Sequence, residues 1–157
     1  MTVIKDSGKQ REFETGAVRD FAEGKGRCDL LPLDIVADLL PSETIYHLDR
    51  LSKEPSEESI YEAIKCYAKE AELDVESLLI EAAKQYEDGA KKYGENNWKN
   101  GMPCHVLLDS GIRHYLKWRK GDTDEPHDRA FMWNMLGLAW TMRNLPELND
   151  LVRPNHK

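Results

Sequence analysis

Apolar residues recur at helical spacing along most of the chain. The segments 32–40 (P-L-D-I-V-A-D-L-L) and 42–51 (S-E-T-I-Y-H-L-D-R-L) predict two short helices, with Pro32 at a first-turn position. In the next segment, which Ser56 can cap, the apolar residues share one helical face and predict core packing. They are Ile60, Ala63, Ile64, Tyr67 and Ala68. Alternation of period two is missing, so we predict no strand.

Three longer helices are predicted after residue 73. The first begins at Asp74, which can cap it, and ends at Gly94, a good C-cap. Its predicted buried stripe is Leu79, Ala82, Ala83, Tyr86 and Ala90. The second helix follows a turn-rich loop and ends at Gly121, and the third runs from about Pro126 to Asn144. The pattern predicts an all-α fold with a helical bundle as its core.

The length of 157 residues suits a single domain. We divide it into an irregular arm at 1–31, a variable helical region at 32–77 and core helices at 78–144. The arm is polar and carries four glycines. One interpretation is an ordered surface arm. The other is that Arg19, Lys25 and Arg27 approach an anion, because glycine permits close approach and phosphate attracts cationic donors.

The net charge, the apolar runs and the cysteines limit which partners and which cellular location we expect. The net charge is -7, which argues against a nucleic-acid polymer as partner, since such binding needs a basic surface. We expect no membrane partner, because no apolar run is long enough to span a bilayer and the first residues do not resemble a signal peptide. Three cysteines without C-x-x-C spacing are typical of reduced thiols, so we expect a cytoplasmic protein.

Acidic residues that can point inward occur on each of the last three helices. They are Glu87, Asp109 and Asp128. A bundle can bring one acid from each helix to one point, where Mg²⁺ or Mn²⁺ would find oxygen ligands. The alternative is chance, because the chain has 29 acidic residues. Glu87 can equally form an exposed ion pair with Lys91, four residues along the helix.

Two histidines and one asparagine are further candidates for chemistry. His114 and His127 could bind a metal, hydrogen-bond a base or act as a general base, or each could be a satisfied core or capping residue. Asn134 shares a helical face with His127 and, if buried, needs either a ligand or a helix-to-helix hydrogen bond. Gly111 and Gly137 each cost a helix roughly 1 kcal/mol relative to Ala, which close packing or ligand approach would explain.

The loop between the first two long helices carries possible nucleotide contacts. Trp98 could stack on a nucleobase, although a tryptophan covering the core is the commoner arrangement. Lys91, Lys92 and Lys99 could meet phosphates, or they could form ordinary solvated surface.

Three stretches together resemble the phage and prophage proteins called dATP/dGTP diphosphohydrolase-like. They are K-K-Y-G-E-N-N-W-K-N-G at 91–101, D-S-G-I-R-H-Y-L-K-W-R-K-G-D at 109–122 and H-D-R-A-F-M-W-N-M-L-G at 127–137. The stretch T-G-A-V-R-D-F-A-E-G-K-G-R-C-D-L-L-P also fits them. The resemblance covers 11–41 and 78–144, with 42–77 as a variable insertion. That family is similar to the all-α pyrophosphohydrolases of the MazG type.

The resemblance implies a MazG-like bundle that hydrolyses a purine dNTP, dATP or dGTP, to dNMP and pyrophosphate. MazG-type enzymes hold Mg²⁺ with E-x-x-E on one helix and E-x-x-D on the next. Here the corresponding helices carry Asp109, Arg113 and His114, then His127, Asp128 and Asn134. The resemblance further implies a homo-oligomer and, for a phage protein, a place in the host cytoplasm.

Site roles follow from the resemblance as hypotheses. The Mg²⁺ or Mn²⁺ ligands would be Glu87, Asp109 and Asp128, and His114 or His127 would position the attacking water. The phosphates would be held by Lys91, Lys92 and Arg113, and the base or sugar would contact Trp98 and Asn134. Two alternatives remain: a nucleotide-binding or sensing protein without turnover, and a phage protein that blocks a host partner through its acidic surface.

Overall fold

A computed structural model describes residues 10–20 and 23–152 of the chain. Helices dominate these residues, which confirms the predicted all-α class. The α-helices are α1 (Leu33–Leu39), α2 (Glu43–Lys53), α3 (Glu57–Glu70), α4 (Val75–Tyr93), α5 (Cys104–Lys120) and α6 (His127–Asn144). Short 3₁₀ turns occupy Cys28–Leu30, Asn97–Asn100 and Pro146–Leu148. In the described part of the chain, we find no helix with the length and apolar character to cross a membrane.

Ser56, Asp74, Gly94 and Gly121 lie at helix ends as predicted, and Ser42 is a further cap beyond those predicted. Ser42, Ser56 and Asp74 each accept a hydrogen bond from a backbone N–H three residues on, at the starts of α2, α3 and α4. Gly94 and Gly121 end α4 and α5, both with φ of 90°, a conformation that glycine adopts without a Cβ clash. The local sequence therefore sets the lengths of these helices.

The core centres on the packing of α5 against α6, the most extensive contact between described helices. Gly111 makes this contact close, since a Cβ there would lie 2.5 Å from Met135 Cε and 3.5 Å from Asn134 Cβ. Close helix packing thus accounts for the glycine in the middle of α5. The predicted face of α3 is also buried in full, with Tyr67 among the largest fully buried side chains.

The predicted buried stripe of α4 is partly wrong. Leu79 is 42% exposed and Ala83 is exposed, whereas Leu78 and Gln85 are buried. The reason is a polar contact with α6: Arg129 lies 3.1 Å from Glu81 and 3.8 Å from Asp88. Apolar periodicity could not reveal this face, because charged and amide side chains occupy part of it.

The prediction of no strand is also wrong. The arm contains an antiparallel hairpin of β1 (Gln10–Glu12) and β2 (Val18–Asp20), in which Arg11 pairs with Arg19. Strands of three residues are too short to display a period of two. The side chain of Asn97 fastens β2 to the bundle, because its Oδ1 accepts from Val18 N (2.8 Å) and its Nδ2 donates to Val18 O (2.7 Å).

We predict that Gly111→Val destabilises the protein by about 1–3 kcal/mol, since the added methyl groups overpack the α5–α6 contact. Urea unfolding followed by circular dichroism measures the change. Gly89→Val is the matched control in α4, where a Cβ meets nothing within 4 Å. Equal effects at the two positions would contradict the packing role of Gly111.

Candidate functional site

Two histidines meet where α5 and α6 come together. His114 lies on α5, and His127 is the first residue of α6, after a short connection that starts at Gly121. Their Nδ1 atoms are 2.9 Å apart. The His127 side chain is 1% exposed, and that of His114 is 15% exposed. The structure therefore brings together the two residues proposed to position water.

Two carboxylates from the connection between these helices lie against the pair. Asp124 Oδ1 is 2.8 Å from His127 Nε2, and Glu125 Oε1 is 3.9 Å from His114 Nδ1. One donor atom each from His114, Glu125 and His127 lies within 4.8 Å of the other two. Within 10–20 and 23–152, this is the one cluster of three or more possible metal-ligating side chains.

The environment of the pair keeps His114 neutral. Burial, followed by the charges of His127, Arg19, Arg113 and Lys117, lowers the pKa of His114 to about 3. A neutral imidazole offers a nitrogen lone pair near pH 7, which an imidazolium lacks.

Arg19 of β2 lies close to both helices of the site. Its Nη2 donates to Ser110 Oγ at 3.0 Å, and its guanidinium lies 5.7 Å from the ring centre of Trp133. Burial and the nearby charge of Arg113 lower the pKa of Arg19 to about 10. The chain thus holds one guanidinium near another, an arrangement that an anion would stabilise. Arg27, also considered as an anion contact, instead pairs with Asp29 at 2.7 Å.

Asp109 and Arg113 join the arm to α5. Asp109 is buried and accepts from Cys28 N at 2.7 Å and from Arg113 Nη2 at 2.5 Å. Arg113 also donates to Gly26 O at 2.8 Å. A cavity of about 600 Å³ lies here, and its lining includes Arg11, Arg27, His105 and Asp109.

The three carboxylates proposed as magnesium ligands do not come together in this chain. Glu87 is 67% exposed on α4, 3.9 Å from Lys91, as the ion-pair alternative predicted. Asp109 is bound by Arg113, and Asp128 lies on α6, where its charge adds to burial in raising the pKa of Tyr67. Among the described residues they form no cluster of ligand atoms.

A second cavity, of about 330 Å³, has an aromatic lining. It lies between the end of α4, the loop after it and α6, and its lining includes Tyr86, Tyr93, Trp98 and Trp133. The Trp98 ring also lies 5.0 Å from that of Trp140. Trp98 therefore both packs against the bundle and borders a cavity. Lys91 and Lys92 lie on the same end of α4, with Lys92 Nζ 5.1 Å from the Tyr93 ring centre.

Asn134 is buried beneath the site. Its Nδ2 donates to Ala130 O at 2.8 Å, within α6, and its Oδ1 has no hydrogen-bond partner among the described residues. Of the two alternatives, the helix-to-helix hydrogen bond is therefore not formed by this side chain among the described residues. An unsatisfied buried oxygen is costly, which leaves Asn134 as an acceptor available to a ligand or a water.

Comparison with known proteins assigns the chain to a family. A family model described as "dATP/dGTP diphosphohydrolase, N-terminal" matches residues 67–151, more than half of the chain. The chain belongs to the dATP/dGTP diphosphohydrolase family. This confirms the resemblance found in the sequence. Searches of curated proteins and of solved structures found no match.

The family region of this diphosphohydrolase-family protein contains the histidine pair, the acidic connection and all the lining residues of the aromatic cavity. Arg19 lies outside the matched residues. The sequence indicated Arg19 only through the glycines near it. The sequence also has acids two and three residues before His127, but nothing in their spacing showed that Glu125 and Asp124 would face two imidazoles.

We predict that Asp109→Ala destabilises this diphosphohydrolase-family protein by about 3–5 kcal/mol, because Arg113 would remain buried without its carboxylate. The arm would also lose its bond at Cys28, so limited proteolysis should cut near 23–27 faster. Urea unfolding and protease digestion measure both effects. Glu87→Ala, which removes an exposed ion pair, should change little. Unchanged stability of Asp109→Ala would contradict the structural role of this carboxylate.

Proposed function

We propose that the chain hydrolyses purine deoxynucleoside triphosphates, dATP or dGTP, to the monophosphate and pyrophosphate. Membership of the dATP/dGTP diphosphohydrolase family supports this reaction class. The observation that carries the proposal is the position of Arg19. It lies over Trp133 of the aromatic cavity, and its charge acts on His114 of the histidine pair. A cation is thus held between a surface suited to a base and a group suited to position water.

The aromatic cavity is the proposed base site. Its volume of about 330 Å³ suits a small planar ligand, and aromatic rings stack on nucleobases whatever their sequence. Trp98 and Tyr93 border it from the loop and from α4. Asn97 also lines it and could supply polar contacts, although its amide is engaged with Val18.

Arginines are the proposed phosphate contacts. The net charge of -7 repels a triphosphate, so binding requires a local positive region. Arg19 and Arg113 provide one, since the charge of each helps to lower the pKa of His114. Arg113 is partly neutralised by Asp109, which leaves Arg19 as the stronger candidate. Contacts from Lys91 and Lys92 remain a prediction.

The proposed chemistry is attack of water on the α-phosphorus. A bond forms from the water oxygen to this phosphorus, the bond to the oxygen bridging the α- and β-phosphates breaks, and pyrophosphate leaves. The histidine pair is the proposed positioning group for the attacking water. Mg²⁺ or Mn²⁺ remains a predicted cofactor. Since Glu87, Asp109 and Asp128 do not cluster, they do not fit one such ion within the chain, and we assign no step to it.

We predict release of pyrophosphate and dNMP when the protein is incubated with dATP or dGTP and either Mg²⁺ or Mn²⁺. Pyrophosphate detection and nucleotide chromatography measure the products, with pyrimidine dNTPs and ribonucleotides compared at equal concentration. No release from any nucleotide at high protein concentration would contradict the proposal. Tight nucleotide binding in that case would favour a sensor, and absence of binding would favour an interaction protein. Size-exclusion chromatography tests the predicted homo-oligomer.

We predict that Trp98→Leu raises KM for dATP by roughly tenfold, because stacking on an aromatic ring contributes about 1–3 kcal/mol per base. Trp118→Leu is the matched control, since Trp118 packs on Tyr67 at 4.8 Å between ring centres, apart from the residues that line the cavity. Thermal unfolding should confirm that both variants fold. Similar KM values for the two variants would contradict the base site.

A further inference from the structure

We propose that His114, Glu125 and His127 bind a divalent transition-metal ion, in preference to Mg²⁺. The three residues form the one ligand cluster among those described, and their donor set is two imidazole nitrogens and one carboxylate oxygen. This differs from the carboxylate set that the family resemblance implied. Ion binding itself does not depend on the proposed function, although any use of the ion in hydrolysis would rest on it.

The distance between the imidazoles suits a shared ion. Metal–nitrogen bonds to histidine are about 2.0–2.1 Å, so two nitrogens lie about 2.9 Å apart on an octahedral ion and about 3.3 Å apart on a tetrahedral one. The Nδ1 atoms of His114 and His127 are 2.9 Å apart. Both residues belong to helices whose packing fixes the backbone, so this spacing requires no movement of either helix.

Glu125 can supply the third ligand. Its Oε1 is 3.9 Å from His114 Nδ1, and ligand atoms on opposite sides of one ion can be about 4.2 Å apart. The widest separation in the cluster is within 4.8 Å, and rotation of the flexible Glu125 side chain would shorten it. The side chain is 15% exposed, so an ion could enter from solvent.

Asp124 gives independent support, because it orients one of the ligands. It accepts from His127 Nε2 at 2.8 Å, which places the proton on that nitrogen and leaves the Nδ1 lone pair directed at the cluster in the neutral ring. Histidines that bind metals nearly always donate their other ring N–H to a carboxylate, a carbonyl or water. The same tautomer lets His127 Nδ1 accept a hydrogen bond from His114 Nδ1 when no ion is bound.

The donor chemistry selects the class of ion. Imidazole suits Zn²⁺, Co²⁺, Ni²⁺ and iron, whereas Mg²⁺ prefers oxygen ligands and retains its waters. Three protein ligands leave at least one position open for water or a substrate oxygen, as in catalytic zinc sites. The charges of Arg19, Arg113 and Lys117 oppose a dication, while the carboxylates of Glu125 and Asp124 offset them.

Metal titration of the untagged full chain tests the site without any nucleotide. After chelator treatment and dialysis, Co²⁺ is followed by its visible absorption and Zn²⁺ and Mg²⁺ by calorimetry. We expect one Co²⁺ or Zn²⁺ per chain, bound at least 100-fold more tightly than Mg²⁺. His114→Ala and Glu125→Gln should each weaken binding at least tenfold, and Asp124→Asn by about 10- to 100-fold.

His105→Ala is the matched control. His105 Nδ1 also contacts a carboxylate, that of Asp150 at 2.5 Å, but these two residues belong to no cluster of three possible ligands among the residues that the structure describes. Its loss should leave Co²⁺ binding unchanged. Circular dichroism verifies the fold of each variant, and Glu125→Gln keeps the test valid if a histidine variant misfolds.

The outcomes separate the metal site from the proposed reaction. Absence of Co²⁺ and Zn²⁺ binding, or binding that persists in both His114→Ala and Glu125→Gln, overturns the site even if the protein hydrolyses dNTPs with Mg²⁺. Binding that depends on these residues supports the site even if no nucleotide is hydrolysed, and in that case only the proposed function fails.

Discussion

The close contact between α5 and α6 is the constraint on which the site depends. Gly111 allows the helices to approach until its neighbours are Met135 and Asn134. The same approach brings His114 and His127 to 2.9 Å. A wider contact would leave two separate histidines, each with an ordinary polar environment. The geometry of the candidate site therefore depends on a glycine, a residue without a side chain, in the middle of α5.

Two segments that are far apart in the sequence place charged side chains around that contact. The connection before α6 supplies carboxylates, and the arm before α1 supplies Arg19. Asp109 holds the arm in place through Cys28 and holds Arg113 at the same time. The buried carboxylate of Asp109 thus helps to position Arg113 and Arg19, whose charges act on His114. Asp109 resembles a metal ligand in the sequence, but its contacts here are structural.

Capping residues and apolar periodicity predicted the helices well, but they predicted the candidate site only in part. Ser56 and Asp74 could be predicted as caps because capping depends on residues three positions apart, which the sequence displays directly. The buried face of α4 was misjudged because its partner, Arg129, is polar. The hairpin was missed because three-residue strands have no periodicity.

For the candidate site, the sequence indicated residue types but not the contacts between them. His114 and His127 could be singled out by type and by their neighbours, but their contact depends on how two helices pack. Glu87, Asp109 and Asp128 form no common cluster among the described residues, because Glu87 is exposed beside Lys91 and Asp109 is bound by Arg113. Asp124 and Glu125 adjoin His127 in sequence, yet their orientation is set by a loop that no periodic pattern describes.

Asn97 helps to determine where the side chain of Arg19 lies. Its amide bonds both the N–H and the C=O of Val18, as a neighbouring strand would, so it fixes the register of β2. Side chains alternate along a strand, and a slip of one residue would turn Arg19 away from Ser110. Because Asn97 also lines the aromatic cavity, a ligand that moved its loop would move the arginine with it. The arm and the cavity are therefore coupled through this amide as well as through the contact of Arg19 with Trp133.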